Sequence, residues 1–142
     1  MRKVLPVILT LCCLAGCAAV TAGGSAPGAP DVDLTVMSAT MVYGEVNNMM
    51  ANPDSYMGKT VKAAGPYYVS YMPETGLYYH LILIEDVTLC CQQWLEFIWD
   101  GHSYPDGFPS DGTPIEVTGT FGSYVELGET YYYLDADDVV VA

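Results

Sequence analysis

A helical segment and a series of strands meet at NPDSYMGKTV, from Asn52 to Val61. Before this junction, residues 38–50 carry methionine and valine at helical spacing, and Ser38 is a candidate N-cap. Asn52-Pro53 ends the helix, because a residue that precedes proline is pushed out of the α region. After Gly58 the sequence is rich in β-branched and aromatic residues, which favour strands.

Five strands are predicted after the junction, because turn residues separate segments of high β propensity. These strands cover residues 60–72, 77–85, 94–99, 113–125 and 130–141. Gly65 and Gly119 lie inside the long first and fourth strands, where glycine permits a sharp bend. Bent strands of this length can serve both halves of a small closed barrel. The sequence therefore predicts a mainly β fold, a five-stranded barrel with one short N-terminal helix.

The junction also carries a resemblance to a known fold family. Its pattern, Asn-Pro-x-x-Tyr-x-Gly-Lys-x-Val, is followed by Gly65 and by Ile115-Glu116-Val117-Thr118-Gly119. This arrangement resembles the OB-fold pattern of anticodon-binding-like barrels and of assorted bacterial lipoproteins. Cys90-Cys91, after the second strand, is similar to the Cys-Cys motif of the OB-like C-terminal domain in a permease-subunit family of uncharacterised function. The resemblance implies an OB-like barrel, and such a fold does not by itself specify an activity.

Residues 1–17 have the order of parts that is typical of an export signal. A positive start and an apolar run precede Leu14-Ala15-Gly16-Cys17, which resembles the lipobox of bacterial lipoproteins. The resemblance implies that residues 1–16 are removed and that the Cys17 thiol receives a diacylglycerol. It also implies an anchor in a bacterial membrane, on the extracytoplasmic side. A membrane-spanning helix would need about 18 or more apolar residues, which this run does not reach.

The segment after Cys17 is predicted to be a flexible tether. Residues 18–30 are uncharged and rich in glycine, alanine and proline, a composition that cannot build a core. The chain is thus divided into a signal peptide at residues 1–16, a lipidated cysteine with its tether at residues 17–37, and one OB-like domain at residues 38–142.

The mature chain is strongly acidic, and this limits its partners. Once the signal peptide is removed, Lys59 and Lys62 are the remaining cationic side chains besides histidine, against 17 aspartates and glutamates. Binding to nucleic acid is driven by lysine and arginine at the phosphates. The composition therefore argues against nucleic acid as a partner and leaves soluble cations or basic protein surfaces.

Cys90 and Cys91 pose the main chemical question of the mature chain, because adjacent thiols are unusual outside the cytoplasm. Together with His80 and either Glu96 or His102 they would satisfy the tetrahedral coordination of zinc. The usual separation of two to four residues between zinc-binding cysteines is missing. A strained disulfide between the two neighbours, or two packed thiols, are the alternatives.

The loop from Asp100 to Gly112 contains three Asp-Gly pairs and supplies further candidate ligand-binding residues. Asp100, Asp106, Asp111 and Tyr104 could contact a ligand from this loop. Oxygen-rich loops suit calcium, but the spacing of an EF-hand is not present. Asp-Gly is also common turn chemistry, so a purely structural loop is the favoured interpretation.

Twelve tyrosines are a further compositional feature, and several stand next to one another on the predicted strands. Alternation along a strand places one of two neighbours inside the barrel and the other outside. The outward tyrosines could form an aromatic patch for a partner, or they could shield the surface of the sheet.

The sequence favours a non-enzymatic, lipid-anchored binding module for a protein or a small ligand. No Ser/His/Asp order and no phosphate-binding glycine loop stands out, and no cofactor is expected. The alternative is a zinc-binding lipoprotein that uses Cys90, Cys91 and His80. A thiol redox protein is a weaker alternative, because a C-x-x-C motif and a nearby lysine or arginine are both missing.

Overall fold

The structure is a computed structural model that describes residues 28–88 and 91–142. The predicted signal peptide, Cys17 and Cys90 lie outside these residues. The elements in chain order are β1 (Val32–Asp33), a 3-10 turn (Leu34–Val36), α1 (Ala39–Ala51), a second 3-10 turn (Pro53–Ser55), β2 (Thr60–Met72), β3 (Leu77–Glu85), β4 (Gln92–Ile98), β5 (Pro114–Glu126) and β6 (Glu129–Val141). None of the helices in this part of the chain is long and apolar enough to span a bilayer.

The five long strands close into a barrel. β2 pairs antiparallel with β5 through residues 60–66 and with β3 through residues 67–72. β3 pairs antiparallel with β4, β5 pairs antiparallel with β6, and β4 joins β6 in parallel over residues 96–98. Going round the sheet from β2 through β3, β4, β6 and β5 leads back to β2. The predicted mainly β, OB-like barrel with one N-terminal helix is confirmed.

The element boundaries agree closely with the sequence pattern. β2 and β3 have the predicted limits, and the other strands differ by one or two residues at an end. α1 starts directly after Ser38, although the Ser38 side chain makes no capping hydrogen bond. Val46 and Met49 face the core, whereas Met41 is 60% exposed and does not belong to the buried face.

The folded domain begins earlier than the sequence suggests. Val32 pairs in parallel with Val61, and both Val32 and Leu34 are buried in the barrel core. An Asp33 carboxylate oxygen accepts a hydrogen bond of 3.0 Å from the Thr35 amide and ends β1 in a tight turn. Residues 32–36, which were assigned to the tether, therefore belong to the domain. A two-residue strand is too short to show alternation, which explains the difference.

The junction fastens α1 over one end of the barrel. Tyr56 is buried, and its hydroxyl donates a hydrogen bond of 2.7 Å to the Glu45 carboxylate. Its ring packs edge-on against Phe121 of β5, with 6.3 Å between the centroids. Gly58 adopts a φ of +77°, which glycine tolerates best, and its amide donates to the Phe121 carbonyl at 2.9 Å. The motif is thus part of the scaffold.

Two strand glycines allow close contact between backbones. A Cβ at Gly65 would lie 2.5 Å from the Leu83 carbonyl oxygen, and a Cβ at Gly119 would collide with the Asp135 carbonyl. Gly65 still pairs with β5 and lies two residues before Tyr67, where β2 begins to pair with β3. Gly119 lies at a register shift between β5 and β6. At both places the neighbouring atom is backbone, so it cannot move aside as a side chain would.

We expect Gly65→Ala and Gly119→Ala each to lower the free energy of unfolding by about 2 kcal/mol, because the added methyl group overpacks against backbone. Gly44→Ala is the matched control. Gly44 lies in α1 with open space around it, so the same methyl group should raise the free energy of unfolding by about 0.5–1 kcal/mol through helix propensity. Urea unfolding of the three variants measures these changes. Losses below about 0.5 kcal/mol at both strand positions, within the scatter of surface substitutions, would contradict the close packing.

Candidate binding cleft

The β5–β6 hairpin folds back against the outer face of β3 and β4. The Tyr79 hydroxyl donates a hydrogen bond of 2.6 Å to a Glu126 carboxylate oxygen near the hairpin tip. The Tyr124 hydroxyl contacts both carboxylate oxygens of Glu96, at 3.0 and 3.1 Å. These two cross-links form a surface that we call the tyrosine–glutamate ridge, made of Tyr79, Glu96, Tyr124 and Glu126.

A groove lies on each side of the ridge, and the four ridge residues line both grooves. Groove 1 has a volume of about 380 Å³, and its other lining residues are Leu77, Tyr78, His80, Phe97, Ile98, Trp99, Asp100, Gly101, His102 and Phe108. Groove 2 has a volume of about 370 Å³, and its other lining residues are Met50, Ser70, Met72, Leu81, Trp94, Thr130, Tyr131 and Tyr132. The chain has two tryptophans, and each groove contains one of them.

Stacked rings form part of the lining of groove 1. The Trp99 ring stacks on His102, with 3.5 Å between the centroids, and the His80 ring stacks on Phe108 at 3.8 Å. Phe108 also meets Trp99 edge-on at 5.8 Å. These contacts hold the 100–112 loop against the barrel, so that the loop forms one side of groove 1.

His80 is integrated into this ring cluster. Its Nδ1 lies 2.8 Å from the hydroxyl of Tyr67, which is buried in the core. Burial lowers the pKa of His80, because a charged imidazole loses hydration there. Burial thus favours the neutral form of the His80 ring, which packs against Phe108 and hydrogen-bonds to Tyr67.

Groove 2 is more apolar. Its Trp94 is 47% exposed and meets Tyr68 edge-on at 5.5 Å. Tyr131 stacks on the ridge residue Tyr124, with 5.5 Å between the centroids. Exposed rings held in place by other rings provide contact area at little cost in side-chain entropy.

The cleft formed by both grooves is anionic. Burial raises the pKa of Glu96, and the neighbouring Glu126 carboxylate raises it further, while the hydrogen bond from Tyr124 acts in the opposite direction. Both lysines of the described chain are engaged away from the grooves. Lys62 Nζ forms an ion pair of 2.7 Å with Glu116, and Lys59 Nζ lies 5.1 Å from the centre of the Tyr56 ring. Neither groove has a cationic side chain of lysine or arginine in its lining.

Three of the five candidate metal ligands, His80, Glu96 and His102, line groove 1. Cys91 is exposed and lies at the opposite end of β3. Gln92, next to Cys91, pairs with Glu85, five residues along β3 from His80, a separation of roughly 17 Å at the rise of a strand. Residues 28–88 and 91–142 contain no group of three or more His, Cys, Asp or Glu that could hold a metal ion. The structure therefore separates Cys91 from the other candidate ligands that it describes, and Cys90 lies outside the described residues.

The candidate binding residues of the loop have different environments. Asp100 lines groove 1, and Tyr104 packs against Tyr78 with 4.7 Å between the ring centroids. Asp111 accepts a hydrogen bond of 3.2 Å from the Val69 amide, which ties the loop to β2, and it is not part of either groove lining. Asp106 is exposed in the same loop, also outside both linings. Of the four loop residues predicted to contact a ligand, Asp100 thus lies in a groove lining, whereas Tyr104, Asp106 and Asp111 lie outside both linings, and ligand contact by any of them stays a prediction.

Sequence reasoning missed the hairpin's contribution to the site. Tyr79, Tyr124 and Glu126 are central to the ridge, but they contact partners that are 28 to 47 residues away in the chain. The neighbouring tyrosines indicated outward aromatic rings, which was the one available signal. The sequence does not show that the end of one hairpin rests on the outer face of two other strands.

No family profile matches this chain, and no curated protein sequence is similar to it. Among solved structures, the chain is similar to the dimeric structure of the N-terminal domain of PriB protein from Thermoanaerobacter tencongensis. The sequence identity is 15%, the match covers 58% of this chain and 94% of that chain, and the TM-score is 0.41. The OB-like architecture described above follows from the strand pairing of the chain itself.

Replacing Glu96 by Gln removes a carboxyl group whose pKa is raised in the folded protein. In the wild-type protein, the folded state holds the proton of the Glu96 carboxyl group more tightly than the unfolded chain does. The wild-type free energy of unfolding therefore falls as the pH rises through the folded-state pKa. We expect Glu96→Gln to become more stable relative to wild type between about pH 4 and pH 7. Urea unfolding of both proteins at each pH measures the difference.

Tyr124→Phe is the companion variant, because it removes the hydrogen bond that favours ionised Glu96. In Tyr124→Phe, the free energy of unfolding should therefore fall more with rising pH than it does in the wild-type protein. Parallel pH curves for wild type and Glu96→Gln would contradict the buried environment of the Glu96 carboxyl group.

Proposed function

We propose that this chain is a non-enzymatic binding module whose ligand occupies the cleft on the outer face of β3 and β4. The observation that carries the proposal is the tyrosine–glutamate ridge, because its four side chains line two adjoining grooves at once. Each groove has the size of a small-molecule site. A ligand that crosses the ridge would contact both grooves.

The construction of the cleft favours recognition by preformed groups. The ridge side chains are hydrogen-bonded to one another, and ring contacts hold the tryptophans, since Trp99 stacks on His102 and Trp94 meets Tyr68 edge-on. Groups that are already ordered lose little conformational freedom when a ligand binds, which favours affinity. The proposed role needs these contacts alone and requires no cofactor.

The proposed location is the extracytoplasmic side of a bacterial membrane, with the Cys17 lipid as anchor. The support is the resemblance of Leu14-Ala15-Gly16-Cys17 to a lipobox. Residues 18–30 would span roughly 20 Å as a flexible chain, at about 5–6 Å × √n. This length would hold the domain just off the membrane, where the cleft remains accessible to soluble ligands.

The charge of the cleft argues against nucleic acid as its ligand. The lining carboxylates Glu96, Glu126 and Asp100 would repel phosphates, and no lysine or arginine of the groove lining could replace their counterions. The ligand or partner surface is therefore expected to be neutral or positively charged.

Cys17→Ser tests the anchor. We expect the variant to lose lipid attachment and to keep residues 1–16, because the thiol is the acceptor of the diacylglycerol. Mass spectrometry of the membrane fraction compares the N-terminal peptide of wild type and variant. An unmodified Cys17 in the wild-type protein, or a mature N-terminus elsewhere, would overturn the proposed anchoring.

An NMR fragment screen of the full chain tests the cleft. We expect neutral and cationic aromatic fragments to shift the backbone amides of Tyr79, Glu96 and Tyr124, because small ligands favour preformed concave sites. The backbone amides of Val140 and Val141, which are exposed on β6 away from both grooves, are the internal reference. If no fragment shifts the groove amides beyond this reference, the proposed binding function is wrong.

A further inference from the structure

We infer that groove 1 recognises an organic ammonium cation, a positively charged nitrogen with alkyl substituents. This inference rests on the proposed function and adds the ligand class. It is carried by the combination of three carboxylates and an aromatic wall in one small groove, in a chain whose described lysines are both engaged elsewhere.

Groove 1 carries negative charge. Glu96, Glu126 and Asp100 line it, and the hydrogen-bond donors to the two glutamates are neutral tyrosine hydroxyls, from Tyr124 and Tyr79. Those hydroxyls satisfy hydrogen bonds but leave the negative charge uncompensated. A bound cation would supply the opposite charge that the protein itself does not place there.

Groove 1 is also lined by aromatic rings. Trp99 and Tyr78 belong to its lining, and a stack on His102 and a tilted contact with Tyr104 hold the two rings in position. The face of an aromatic ring attracts a cation electrostatically and also contacts its methyl and methylene groups. A ligand with positive charge and alkyl surface matches both the carboxylates and the rings of groove 1.

An organic cation fits groove 1 better than a metal ion. Calcium takes six to eight oxygen ligands, and zinc takes about four ligands that converge on one point. The residues that the structure describes contain no group of three or more His, Cys, Asp or Glu that could hold a metal ion, and the faces of the Trp99 and Tyr78 rings do not coordinate a bare ion. A volume of about 380 Å³ leaves room for an alkylammonium ligand.

A neutral or anionic ligand fits less well. A sugar could lie against the Trp99 ring, but it would leave the carboxylates of Glu96 and Glu126 without an opposite charge. A phosphate or carboxylate ligand would meet like charge at the ridge. The experiment therefore has to compare a positively charged ligand with a neutral ligand of the same shape.

Choline and its neutral isostere 3,3-dimethyl-1-butanol isolate that property, because the two molecules share shape and differ in charge. The protein is the full chain in a polyoxyethylene detergent, with Trp94→Phe so that Trp99 is the remaining tryptophan, excited at a wavelength that tyrosine does not absorb. We expect choline to change the Trp99 fluorescence saturably, with a Kd at least about tenfold below that of the isostere. Equal affinity for both molecules would overturn ammonium recognition and leave the proposed cleft intact.

Charge-removing variants in the same background locate the cation. We expect Glu96→Gln and Glu126→Gln each to weaken choline binding at least about threefold and to leave isostere binding unchanged. Glu129→Gln is the matched control, since Glu129 is exposed and lies outside both groove linings. An equal loss in Glu129→Gln would show a general charge effect and would overturn the groove assignment.

Two further measurements complete the test, one with Trp94 as the fluorescent reporter and one with glucose as the ligand. Trp99→Phe leaves Trp94 to report on groove 2, and a choline response there that is stronger than in groove 1 would overturn the assignment. Glucose that binds more tightly than choline would also overturn it, in favour of a carbohydrate ligand. A cleft that binds fragments but not choline disproves this inference alone, whereas a cleft that binds no fragment disproves the proposed function as well.

Discussion

The structure depends on a single strand that serves two halves of a barrel. β2 pairs with β5 along its first half and with β3 along its second half, and the change of partner occurs between Pro66 and Tyr67, close to Gly65. There the backbone of β3 approaches so closely that a Cβ would lie 2.5 Å from the Leu83 carbonyl oxygen. Without this approach the two hairpins, β3–β4 and β5–β6, could not both be joined to β2, and the barrel could not close.

The cleft is a consequence of that closure. Once β6 is joined in parallel to β4, the part of the β5–β6 hairpin beyond the barrel lies beside the outer face of β3 and β4. Tyr124 and Glu126 then meet Glu96 and Tyr79, and the hydrogen bonds fix the hairpin there. Burial at this place raises the pKa of Glu96, and the Glu126 carboxylate adds to the rise, whereas the hydrogen bond from Tyr124 opposes it. The electrostatic character of the site and its shape thus have one structural origin.

The fold could be predicted from the sequence because its signals are local. β2 and β3 are bounded by turn residues, and their β-branched and aromatic residues set the limits that the structure shows. The site could be predicted only in part. His80, Glu96 and His102 were selected as metal ligands and lie together in groove 1. Their neighbours Tyr124 and Glu126 reach them through long-range packing, which no local pattern encodes.

The junction motif, which carries the resemblance to the OB-fold pattern, is part of the scaffold and does not line the cleft. Tyr56 closes the barrel end, and Lys59 lies over its ring, while Lys62 forms its ion pair with Glu116 on the neighbouring strand. The lysines are thus used in holding the barrel together and do not neutralise the ridge. Inward residues determine the fold and outward residues determine the chemistry, because alternation along a strand separates the two sets. An OB-like barrel can for this reason keep its core pattern and carry an anionic, ring-lined cleft on its surface.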